Sequence, residues 1–150
     1  MMHAGRHAGF TLIELVMVMV MVGALATFAL PRMTDVTAWR LRAFADELAA
    51  QTLAMQRLAL VQRRPVVATI TGTGVSFAYV AGGALASLSC PAAASPCIAQ
   101  GGTRSVTFNA SNTGRASTST GSALPITVSG GNTTLAYTIE AETGLFRTAP

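Results

Sequence analysis

Apolar and polar positions divide the chain into three regimes, each predicting a different kind of element. From Phe10 to Leu30 the only charged residue is Glu14, and Leu, Val, Ile, Met and Ala dominate the rest. At about 1.5 Å per residue, a helix over 10–30 spans about 30 Å, the thickness of a hydrocarbon core, so one membrane-spanning helix is predicted there. The Val-Met alternation from Val16 to Val22 has a strand's period, but both alternating classes are apolar and carry no amphipathic information. Pro31 follows, and its ring and missing N–H predict a helix kink at the membrane exit.

Past the kink, residues 31–64 continue as an amphipathic helix. Leu41, Phe44, Ala45, Leu48, Thr52, Met55 and Ala59 fall within about a 100° arc of one face, while Ala43, Asp46, Ala50 and Arg57 point away. The helix should stop at QRRP, where Arg63 and Arg64 complement its negative end and Pro65 disfavours helical backbone just before itself.

From 65 to 150, Thr, Ser, Gly, Val and Asn take over. PVVATITGTGVSFAYVAGG predicts a hairpin of Val66–Thr71, a Gly72-Thr73-Gly74 turn and Val75–Val80. Further strands are predicted at Ser105–Asn109, Leu124–Ser129, Leu135–Glu140 and, briefly, Leu145–Thr148, with SNTG and SGGN as turns. Ser111–Ser122 reads as a mobile loop. The fold class that follows is α+β: a long N-terminal helix, membrane-spanning and then amphipathic, packed on a C-terminal antiparallel β-sheet.

Composition sharpens this picture. Charged residues make up 11% and apolar residues 51%, against about 25% charged in ordinary soluble domains, which suits partial embedding in lipid or in an assembly. All ten basic residues are arginine. Arg32, Arg40, Arg42, Arg57, Arg63 and Arg64 cluster beside only Asp35, Asp46 and Glu47. That local excess reads either as a patch for nucleic acid or phospholipid headgroups or, more simply, as Arg stems covering apolar helix surface and forming salt links in an assembly.

Little in the chain supports catalysis. His3 and His7 precede the apolar helix, lysine is absent, and no GxxxxGK[ST] phosphate loop occurs. Glu140 and Glu142 share a face of a predicted strand, a spacing more common on a solvated face than in a carboxylate pair that cleaves glycosides. No catalytic residue, metal site or cofactor is assigned. Cys90 and Cys97 in CPAAASPC would close a short loop worth about 2–3 kcal/mol in an oxidising compartment, and would remain free thiols in the cytosol.

Glu14 is the anomaly. A carboxylate at the centre of a membrane helix costs about 2.5–3.5 kcal/mol. A secretory signal with Ala24-Leu25-Ala26 as its cleavage site, or a plain single-pass anchor, leaves that cost unexplained. A third reading gives Glu14 a partner cation within a bundle of helices.

The stretch GFTLIELV, with a short basic leader before it and Ala29-Leu30-Pro31 after it, resembles the prepilin N-terminal signature of type IV pilins and type II secretion pseudopilins over residues 5–31. The resemblance implies a leader peptide over 1–9, cleavage between Gly9 and Phe10 by a prepilin peptidase, N-methylation of Phe10, and Glu14 as the glutamate of filament assembly. It also implies an assembly helix at 10–30 and a globular domain at 65–150, held on the periplasmic side of a Gram-negative inner membrane and later in a filament with other pilins. Methylation keeps the new α-amine positive, so Glu14 gains a cation, on a neighbouring subunit or at i−4 on its own helix.

VTFNASNTGRAS and YTIEAETGLFR resemble the GspH/FimT group of minor pilins, and the Leu30-Pro31-Arg32 junction and cysteine loop resemble minor pilins of the mannose-sensitive haemagglutinin pilus. Some members of the FimT group bind DNA through Gly-Arg-x-Arg. Here Gly144 and Arg147 match, but Leu145 stands where the first arginine would be. Arg104, Arg115 and Arg147 are the candidate DNA contacts, and three arginines against two glutamates leave only +1 over 65–150. The function expected is a structural minor pilin or pseudopilin, with DNA uptake as the alternative.

Overall fold

The structure, a computed structural model, describes residues 11–29, 36–111 and 115–149. The chain divides into two compact units, Met1–Val36 and Thr37–Pro150. In the first, helix α1 runs over Leu12–Ala29. Its side chains from Leu12 to Thr27 are all exposed. Its 18 residues extend about 27 Å, short of a hydrocarbon core of about 30 Å. Among the described residues no helix is long and apolar enough to cross a membrane. Gly9, Phe10 and the Pro31 kink lie outside the described residues.

Helix α2, Val36–Gln62, buries Leu41, Phe44, Ala45, Leu48, Thr52 and Ala59 on the face that the helical period marks out, with Met55 partly buried beside them. Each large apolar side chain removed from water contributes about 1.5–3 kcal/mol. Thr52 is tolerated there because its hydroxyl donates to the Leu48 carbonyl at 2.7 Å. The helix closes with Arg63 in the left-handed region (φ 51) and the Arg64 N–H donating to the Ala59 carbonyl at 3.2 Å, a Schellman closure. The Arg64 guanidinium then lies 3.8 Å from the Tyr79 ring centroid, and the Tyr79 hydroxyl donates to Gln62 Oε1.

Among the described residues, eight strands form two antiparallel sheets rather than one. The first contains β1 Val66–Thr71, β2 Gly74–Tyr79, β3 Ala84–Ser89, β4 Arg104–Phe108 and β5 Ala116–Thr118, in the order β3-β2-β1-β4-β5. The second contains β6 Leu124–Gly130, β7 Thr133–Ile139 and β8 Phe146–Thr148, in that order. The predicted hairpin is present with Gly74 as the first residue of β2, and the pairing of Thr71 with Gly74 leaves a two-residue turn. A Cβ at Gly74 would lie 2.3 Å from the Leu88 carbonyl oxygen, so the approach of β3 requires glycine.

Two strands escape the sequence pattern. ALASLS at β3 has neither β-branched nor aromatic residues and becomes a strand by pairing with β2. The stretch read as a mobile loop contains β5, three residues that complete the ladder of β4. Glu140 and Glu142 do not share a strand face, because β7 ends at Ile139 and Glu142 sits in the following turn.

Alternation places Val66, Ala68 and Ile70 of β1, Val106 and Phe108 of β4, and Leu124, Ile126 and Val128 of β6 in one core beneath α2. Cys90 and Cys97 form a disulfide with Cα atoms 5.6 Å apart. The loop between them includes a 3-10 turn at Ala92–Ala94, and a Cβ at Gly130 would meet Ala94 Cβ at 2.7 Å and Leu41 Cδ1 at 3.0 Å. The helix, the disulfide loop and the end of β6 therefore meet where only glycine fits.

Arg63 holds a conformation that costs a residue with a Cβ about 1–2 kcal/mol, partly offset by the lower chain entropy it brings to the unfolded state. Arg63→Gly is expected to stabilise the body by about 0.5–1 kcal/mol and raise Tm by about 2–4 °C in thermal melts; a lowered Tm would show that the side chain has a structural role at the helix end.

Candidate assembly site

Sequence reasoning directed attention to Glu14 and missed Thr11. The Glu14 N–H lies 3.1 Å from the Thr11 carbonyl and 3.4 Å from Thr11 Oγ1, and the Thr11 hydroxyl points to Glu14 Oε2 at 3.5 Å. Thr-x-x-Glu at the start of a helix is the capping-box pattern, which satisfies orphan N–H groups and sets a carboxylate against the positive helix end. That signal stood in the sequence as TLIE. Glu14 therefore sits in the first turn of α1 as the one charge on a helix whose other exposed side chains are nearly all apolar.

Two of the candidate DNA contacts stand at opposite ends of one strand. Arg104 opens β4, whereas Arg115 lies beyond the far end of that strand, where the Asn109 N–H donates to its carbonyl. Five residues at about 3.3 Å each separate those two ends by about 17 Å. Arg104 is half-buried; its Nη1 donates to the Pro125 carbonyl at 2.5 Å, and burial lowers its pKa from the ordinary arginine value. Arg147 belongs to the other sheet and pairs with Glu140 at 3.0 Å. Arg104 is thus engaged with backbone and Arg147 is paired with a carboxylate.

Gly144 has a structural reason to be glycine. It adopts φ +67, and a Cβ there would lie 2.9 Å from both Ala116 Cβ and Phe108 Cε1. Its N–H donates to the Glu140 carbonyl at 3.0 Å, closing the turn that carries Glu140 back toward β8. The adjoining groove, about 250 Å³, runs beside Leu53 and Gln56 of α2 and Leu145 and Phe146, with no ionisable side chain in its lining. Gln56 Nε2 donates to the Thr143 carbonyl at 2.6 Å and ties the turn to α2. Among the described residues no group of three or more His, Cys, Asp or Glu is placed to hold a metal ion.

An amphipathic helix on antiparallel sheets, following an apolar helix with one acidic residue in its first turn, defines an α+β protein of pilin-like plan. Residues 5–30 match the family described as the prokaryotic N-terminal methylation motif, which supports a type IV pilin-like protein. No curated protein and no solved structure matches the chain.

Gly144→Ala is expected to destabilise the body by about 1–3 kcal/mol, lowering Tm by several degrees, because overpacking and left-handed strain act at the same atom. An unchanged melt would show that Phe108 and Ala116 yield without cost.

Proposed function

We propose that the chain is a prepilin-type structural subunit, a minor pilin or pseudopilin of a type IV pilus or type II secretion system. In this reading residues 1–9 are the leader, 10–30 the membrane and assembly helix, 31–64 its amphipathic continuation with Pro31 as the kink, and 65–150 the exported body. A prepilin peptidase cuts between Gly9 and Phe10 and methylates Phe10. The subunit waits in the inner membrane with its body in the periplasm, then packs into a fibre with other pilins. It performs no reaction of its own.

The observation that carries this reading is the methylation motif over 5–30, with Glu14 the single charge between Phe10 and Leu30. A carboxylate that is costly in lipid becomes favourable once a fixed ammonium in a helix bundle neutralises it. The capping geometry of Thr11 and Glu14 supports it further, since it keeps the carboxylate at the helix end where a new α-amine would lie.

Gly9→Val should leave the precursor uncut by prepilin peptidase in cells. Intact-protein mass spectrometry would then show the retained leader and no methyl group, and removal of the leader at the same bond would refute the cleavage assignment. Glu14→Ala should still insert in the membrane but reach fibres at about a tenth of the wild-type level or less, because removing one partner of a buried ion pair costs about 3–5 kcal/mol. Fibre shearing followed by quantitative immunoblotting reads this, and undiminished assembly would rule out the ion-pair role.

A further inference from the structure

The body treats its strand edges unequally. The outer edge of β6 is capped almost group by group by the segment that follows the disulfide. The Cys97 carbonyl accepts from the Ser129 N–H at 2.7 Å, and the Ala99 N–H donates to the Thr127 carbonyl at 2.9 Å. Gln100 Oε1 accepts from the Thr127 N–H at 2.8 Å, and Arg104 Nη1 takes the Pro125 carbonyl. Unpaired edges template association with other chains, and this one is closed.

The β3 edge is different. β3 ends the five-stranded sheet, and among the described residues no strand lies beyond it. The Cys90 N–H donates inward to the Thr73 carbonyl, so the period of two turns the backbone groups of Leu88 inward and those of Ser87 and Ser89 outward. A register irregularity between Phe77 and Ala78 interrupts the far end of the β2–β3 ladder, but from Ser87 to Ser89 the edge is regular and carries no proline and no charge, and no charged residue occurs anywhere between Arg64 and Arg104. The two faces also differ. Leu88, opposite Val75, packs against the core, whereas Ser87 and Ser89 are exposed on the hydroxyl-bearing side with Ser76.

We propose that β3 is a docking edge for the β3 strand of a second copy of this chain. Antiparallel pairing about a two-fold axis sets Ser87 of one copy against Ser89 of the other, so that the outward N–H and C=O groups of both residues are used on both sides. The same register brings the two half-buried Leu88 side chains together on the apolar face and continues the uncharged hydroxyl face across the junction. Charge selects the same place. Each copy carries a net +4, and the stretch from Pro65 to Thr103 lets two copies approach without setting arginine against arginine.

One strand pair buries less than the roughly 1,000 Å² of a stable interface, so the contact is weak and needs a high local concentration. Two-fold pairing also reverses α2 of one copy relative to the other, and therefore joins copies on neighbouring fibres rather than successive copies along one fibre. That lateral role rests on the reading of the chain as a fibre subunit; the pairing itself does not.

The test uses the full chain in detergent micelles. Hydrogen exchange of the Ser87 and Ser89 amides should slow at least about tenfold, the equivalent of about 1.4 kcal/mol, as protein rises from micromolar to near-millimolar concentration, with a matching dimer in sedimentation velocity. Ser87→Pro removes one outward N–H and leaves the β2 ladder intact; it should abolish both signals with an unchanged thermal melt. Ser89→Lys, which adds a charge at the same edge, should do the same and serves if the proline variant folds poorly. Concentration-independent exchange at these amides, or dimers that persist in both folded variants, would overturn the proposal. Glu14→Ala, tested alongside, should leave β3 pairing intact, so failure of the fibre reading and failure of the edge pairing give different patterns.

Discussion

Burial of one face of α2 is the constraint from which the rest of the body follows. Leu41, Phe44, Leu48 and Ala59 stand on a single stripe, and both sheets turn their alternating apolar residues toward that core. Three ties fix the helix along its length. Leu41 meets the close approach at Gly130, Gln56 holds the turn before β8, and Gln62 with Arg64 clasps Tyr79 of β2. The stripe joins both sheets to one core, and small sheets are not stable alone in water.

The second organising element is the disulfide loop and the segment behind it. Cys90 follows β3 of one sheet, and residues just after Cys97 lie along β6 of the other, with Ile98 bridging Val128 and its N–H donating to the Gly72 carbonyl. A short covalent loop therefore does two jobs: it fixes where the sheets meet, and it closes an edge that would otherwise template association. The open β3 edge is meaningful because the same molecule closes its neighbour so thoroughly.

Chemistry in this chain is concentrated away from the body's core. The carboxylate with the clearest physical demand for a partner is Glu14, held by Thr11 in the first turn of α1. The body offers a glycine-determined turn, a paired Arg147 and an engaged Arg104, each explained by local packing or hydrogen bonding. The proposed role as an assembly subunit would use this division, with a specific charge on the first unit and a stable, weakly charged second unit.

The sequence by itself determined the elements whose side chains have a strong period or an unmistakable chemical conflict. The stripe from Leu41 to Ala59, the β1–β2 hairpin, the stop before Pro65 and the anomaly of Glu14 were all legible, because helical spacing, alternation, proline and a buried-prone charge act locally. The cysteine pair was legible only as far as its compartment allowed. Tertiary structure alone decided that ALASLS and Ala116–Thr118 are strands, that the strands described form two sheets, and that Arg104 and Arg115 stand at opposite ends of β4. Those outcomes depend on what a segment pairs with, and backbone hydrogen bonding across distant residues leaves little mark on side-chain composition. Gly130 and Gly144 show the same limit: each looks like an ordinary turn residue in the chain, and only the packed neighbours reveal that no Cβ fits.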